Sequence, residues 1–75
     1  MDPGRLRAVI AANIRRYAAQ RKLTIPALAD IAGVARGSLY RVLRCEASVT
    51  ADTLAKVAEA LEIHPRLLVD DRRLE

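Results

Sequence analysis

The stretch Ile25–Arg44, IPALADIAGVARGSLYRVLR, decides the fold. Just before it, Thr24 is suited to cap a helix, because its hydroxyl can accept a hydrogen bond from an unpaired N–H of the first turn. Pro26 falls inside that turn, where its missing N–H costs little. Leu28, Ile31 and Ala32 supply one apolar face. Gly33 then ends the helix at a position suited to a left-handed backbone. A second helix is expected from Ala35 or Arg36 to Arg44, with Leu39, Val42 and Leu43 at i, i+3 and i+4. Ala29 is small enough to let one helix cross the other closely. The whole reads as two short helices packed steeply through a tight turn.

Further helices flank this pair. Leu6, Val9, Ile10, Ile14 and Tyr17 recur at spacings of three and four, which predicts a helix from about Arg5 to Arg21. Downstream, Thr50 caps another helix, with Asp52 in its first turn and Leu54, Val57, Ala58 and Leu61 facing inward. Val49 and Leu54 occupy the two positions of a hydrophobic staple. Pro65 opens an expected fifth helix carrying Leu67, Leu68 and Val69, and residues 70–75 read as a charged tail. No strand alternation competes. The expectation is an all-α, five-helix fold in one domain spanning residues 1–75.

The composition removes several classes of function. The chain is 52% hydrophobic and 29% charged, the balance of a folded protein. It has no Trp or Phe and only Tyr17 and Tyr40, which disfavours base-stacking RNA-binding sheets and barrels. The lone Cys45 cannot form an intramolecular disulfide, and Cys45 with the lone His64 makes a poor metal site. There is no nucleophile–base pair and no phosphate-binding glycine loop, so neither an enzyme nor a cofactor is expected. No membrane span or signal peptide is visible, which points to the cytoplasm. Charge is divided along the chain: Met1–Cys45 has nine basic and two acidic residues, a balance of +7. Glu46–Glu75 has four basic and seven acidic residues, a balance of −3. A basic front over an acidic rear suits a protein that binds duplex DNA.

The pattern resembles the Cro and phage-repressor (XRE) family of helix-turn-helix regulators. The likeness runs through Ile14-Arg15, Leu23-Thr24, Leu28-Ala29, Ala32-Gly33-Val34, Ser38-Leu39 and Arg41-Val42. It continues through Leu54, Val57-Ala58, Ala60-Leu61, Ile63 and Leu67-Leu68. The resemblance implies a λ-repressor-like fold whose third helix enters the major groove. It places base contacts at Arg36, Gly37, Tyr40 and Arg41, and phosphate contacts at Thr24, Ile25, Ser38, Arg44 and Ala47. An arginine can offer two parallel N–H groups to guanine O6 and N7, the commonest specific contact in that groove. Arg36 and Arg41 could equally meet phosphates alone, and Tyr40 could pack over its own helix.

Four departures from the family pattern stand out. Ile25-Pro26 replaces a polar residue that often braces the recognition helix, leaving backbone N–H groups to take up part of its role. Ala35 replaces a hydroxyl N-cap. Ala18 and Leu43 stand where many relatives bury an Arg–Glu pair; both charges are absent together, so the two side chains are expected close in the core. Cys45 replaces a glycine, and the following loop is expected to take its own path.

Relatives act as dimers on near-palindromic operators, with half-sites about one helical turn apart. The dimer surface is expected at Ile63, Pro65, Leu67, Leu68, Val69 and Leu74, with either Leu67 or Leu68 closing the core instead. The functional expectation is a bacterial or phage transcriptional regulator, such as a repressor, acting as a homodimer on double-stranded DNA. An antitoxin-type module that holds a protein partner is the alternative on the same fold.

Overall fold

A computed structural model describes residues 1–72. Four α-helices follow in order: α1 (Pro3–Gln20), α2 (Ile25–Ala32), α3 (Arg36–Leu43) and α4 (Ala51–Leu61). A single 3-10 turn, Pro65–Leu68, stands where a fifth α-helix was expected. His64 caps it, its Nδ1 accepting from the Arg66 N–H at 3.0 Å. Four residues between a proline and the end of the turn are too few to build α-helical bonding. No strand occurs among the described residues.

The helix starts follow their caps. Thr24 accepts from the Ala27 N–H at 3.2 Å and Thr50 from the Thr53 N–H at 3.1 Å, as their hydroxyls predicted. Asp2 accepts from the Arg5 N–H at 2.9 Å, with Pro3 as the first helical residue. Helix α1 therefore begins earlier than its apolar stripe suggested. Ala35 provides no side-chain cap to α3.

All four α-helices end the same way. The pairs Leu23 N–H to Ala18 O, Val34 N–H to Ala29 O, Glu46 N–H to Arg41 O and Ile63 N–H to Ala58 O each close a six-residue loop at 2.9–3.0 Å. Within each loop the preceding residue is left-handed: Lys22 (φ 56°), Gly33 (φ 71°), Cys45 (φ 59°) and Glu62 (φ 57°). Only Gly33 has the residue type that adopts this conformation freely. Cys45 thus takes the backbone conformation that a glycine would. Replacing Cys45 by glycine should relieve steric cost of roughly 1 kcal/mol, part of it offset by the entropy of a more flexible unfolded chain. The expected net gain, about 0.5 kcal/mol, is readable as a rise in the urea midpoint with unchanged slope.

The helices close on one core. Helix α2 packs against α3 and α4, α1 against α3, and the 3-10 turn against α4 and α1. Ile10, Ile14, Ala18, Leu28, Ala29, Leu39, Leu43, Val57, Leu61 and Leu68 form its centre. Ala18 and Leu43 are both buried in it, 1% and 5% exposed, so apolar packing occupies the place of an ion pair. Val49 and Leu54 are each partly buried against its edge. Two expected core residues lie outside: Leu6 is exposed on α1, and Ile31 on the outer side of α2. With eight residues, α2 needs only a narrow inward stripe, and Leu28 with Ala29 fills it.

One buried polar residue holds the C-terminal part of the fold. Asn13, 1% exposed, donates both amide N–H groups from the inner face of α1. They reach the carbonyls of Leu68 and Asp70, each at 2.9 Å. Residue 70, expected to begin a tail, is therefore tied to α1.

Candidate DNA interface

Helix α3 divides by face. Leu39, Val42 and Leu43 are buried, and the intervening Arg36, Gly37, Ser38, Tyr40, Arg41 and Arg44 are exposed. The split follows from a 3.6-residue period with three apolar residues on one side. Cross-packing on α2 and α1 leaves the opposite side of α3 facing outward. The four residues expected at base edges are therefore brought to one open face of a single helix.

Each has distinct surroundings. The Arg41 side chain has neither hydrogen bond nor ion pair among the described residues, so its guanidinium is available to a ligand. Gly37 has open space where a Cβ would stand, so packing within the chain does not require glycine. Tyr40 is 37% exposed, its ring partly against the protein and partly open. Arg36 is engaged: Nε donates to Asp30 Oδ1 at 3.0 Å and Nη2 to Asp30 Oδ2 at 2.6 Å. These hydrogen bonds hold the Asp30 carboxyl below its usual range, and the carboxylate in turn raises Arg36. Sequence reasoning missed Asp30, although its position six residues before Arg36, across the turn, was visible.

The expected phosphate contacts separate into two groups. Ser38 and Ala47 line a shallow groove between α3 and the start of α4, together with Arg41, Ser48, Thr50 and Thr53. Ser48 also accepts a long hydrogen bond from Arg7 Nε at 3.4 Å, which links this loop to α1. Arg44 lies at the end of α3 and pairs with Glu46 at 3.1 Å. Such an exposed pair is weak and can exchange for a phosphate. At the start of α2, the Thr24 hydroxyl is occupied as a cap, and the Ile25 side chain packs against the core. Those two positions can meet an anion through backbone N–H groups, and Thr24 also through the O–H that capping leaves free to donate.

The expected dimer surface is only partly open. Leu68 is fully buried, so it closes the core and is not available to a partner. Ile63, Pro65 and Leu67 are half-buried, and Val69 is exposed. Leu74 lies outside the described residues.

Two short helices crossing through a left-handed glycine, with the second turned outward and rich in arginine, define a helix-turn-helix protein. The chain belongs to the Cro/C1-type helix-turn-helix DNA-binding domain family, whose profile matches residues 13–70. Three solved structures are similar. The restriction-modification controller protein C.AhdI from Aeromonas hydrophila is 27% identical, with a TM-score of 0.79 over 83% of this chain and 94% of that one. A hypothetical transcription factor, NHTF, from Neisseria is 26% identical, with a TM-score of 0.88 over 99% and 85%. An HTH_3 family transcriptional regulator from Vibrio cholerae is 28% identical, with a TM-score of 0.84 over 89% of this chain but 38% of that one. No curated protein matches the chain.

Proposed function

We propose that the protein is a sequence-specific regulator of transcription that binds a near-palindromic double-stranded operator as a homodimer. The observation that carries this reading is the outward face of α3. Arg36 and Arg41 stand five residues apart on a helix whose other face is fixed by Leu39, Val42 and Leu43. Arg41 offers its fork to a guanine, and Gly37 between them lets the backbone approach the groove. Tyr40 adds a contact at the edge of the same face. Ser38, Arg44, the loop at Ala47 and the backbone N–H groups at Thr24 and Ile25 set the register by holding phosphates. Two protomers meet through Val69 with the exposed parts of Ile63, Pro65 and Leu67, which spaces two α3 helices along the duplex.

The reading places residues 1–75 in one domain working in the cytoplasm. No helix among the described residues is long and apolar enough to cross a membrane. The similarity to a restriction-modification controller and to two transcription factors supports a regulatory role.

Binding to duplex DNA should weaken steeply with salt, because each neutralised phosphate releases counterions. Six or more phosphate contacts across a dimer correspond to a loss of about 10³ in affinity between 50 and 200 mM salt. Fluorescence anisotropy with a labelled duplex, alongside sedimentation of the free protein and the complex, tests both parts. Salt-independent binding, or a complex holding one protomer, contradicts the reading. Failure to bind any duplex, with a small protein partner co-purifying, would favour the antitoxin-type alternative.

A further inference from the structure

The Asp30–Arg36 pair has no evident structural purpose. Both side chains are more than half exposed, at 56% and 60%. An exposed pair of this kind contributes little to stability. Its geometry is nevertheless specific, since two parallel hydrogen bonds fix the plane of the guanidinium as well as its position. Asp30 belongs to α2 and Arg36 is the first residue of α3, so the contact spans the turn between them.

Donor counting shows what remains. A guanidinium has five N–H groups. Asp30 takes those of Nε and one of Nη2, which form one edge of the fork. The edge between Nη1 and Nη2 keeps two parallel N–H groups. That edge has the donor spacing that guanine O6 and N7 accept. Asp30 also places a negative charge beside Arg36, which opposes its attraction for phosphate.

We propose that Asp30 is a specificity-determining positioning residue: it clamps Arg36 by one edge so that the adjacent edge is presented to a guanine. The proposal rests on the reading of α3 as the base-reading helix. It supplies, from the end of α2, a polar brace that Ile25 and Pro26 at its start do not provide. Arg36 and Arg41 then read differently. Arg41 orders only on binding, and Arg36 is ordered beforehand at the expense of its long-range pull on DNA.

The test begins with operator selection from random duplex DNA by the wild-type protein. Arg36→Ala identifies the base pair that depends on this side chain by loss of preference there. Asp30→Ala should then lower discrimination at that same pair by about fivefold or more, as expected for loss of a bidentate contact. It should also tighten binding to unrelated duplex and steepen its salt dependence, because an acid has left the DNA face. Adding Asp30→Ala to Arg36→Ala should change that base pair no further. Arg36→Lys, which keeps the charge without the fork, should match Asp30→Ala in selectivity.

Thermal melting should be unchanged in each variant, so a loss of fold does not explain the result. Discrimination that is unchanged or sharper in Asp30→Ala overturns the proposal, as does an Arg36→Ala protein with full selectivity. A wild-type protein with no sequence preference overturns it together with the reading of α3. Selectivity that depends on Arg41 and not on Asp30 overturns the clamp alone.

Discussion

Arg41→Ala is expected to remove selectivity at one base pair of each half-site while leaving the fold intact. A bidentate arginine–guanine contact contributes about 1–3 kcal/mol of discrimination. In a homodimer the contact occurs twice, so operator affinity should fall roughly 30-fold or more. The loss should concentrate on one base pair of each half-site. Stability should not change, because Arg41 is exposed and has no partner among the described residues. Comparison with Arg44→Ala separates reading from holding. Arg44 lies at the end of α3, where removal of its charge should weaken operator and unrelated duplex alike and reduce the salt slope by about one per protomer. Competition binding with single-base operator variants distinguishes the two patterns. Uniform weakening by Arg41→Ala would reassign that residue to phosphate.

Leu39→Ala should have the opposite signature, destabilising the fold and weakening binding to every DNA sequence alike. Leu39 is fully buried in the core and anchors α3 against its neighbours. Truncating a leucine at such a site costs about 2–5 kcal/mol, including the cavity left behind. A chain of this length has total stability on the order of 5–10 kcal/mol. The uncapped start at Ala35 leaves α3 dependent on its apolar contacts. We expect a fall in melting temperature of at least 10 °C, since roughly 4–8 °C accompanies each kcal/mol in a domain of this size. A variant that melted like the wild type would show that α3 is held by something other than its buried face.

Much of the fold was legible because local and global signals agree. Thr24 with Pro26, Gly33, and Thr50 with Asp52 mark helix boundaries by a direct physical mechanism, and the structure follows them. Other boundaries were hidden. The ends of α1, α3 and α4 use Lys22, Cys45 and Glu62 in a left-handed conformation, where no residue type announces the turn. Asn13 was invisible as a tether because its partners are carbonyls more than fifty residues away. Leu6 and Ile31 show that an apolar residue on the right spacing is buried only where a neighbour arrives to cover it.

The interface was legible in outline. Periodicity assigned the buried side of α3, and the resemblance to the family placed the expected base contacts on its other side. Spacing could not show that Arg36 is already engaged by Asp30, a hydrogen-bond choice made by the assembled structure. The Leu67-Leu68 doublet illustrates the same limit: spacing said that one should close the core, and only packing decided that it was Leu68.

The central claim is that α3 reads bases from its outward face. Repeated selection of bound duplexes from a random-sequence pool measures this directly. The account predicts an inverted repeat with at least one guanine in each half-site, its preference removed at one position by Arg41→Ala. A folded protein that binds duplex DNA but enriches no sequence would contradict it.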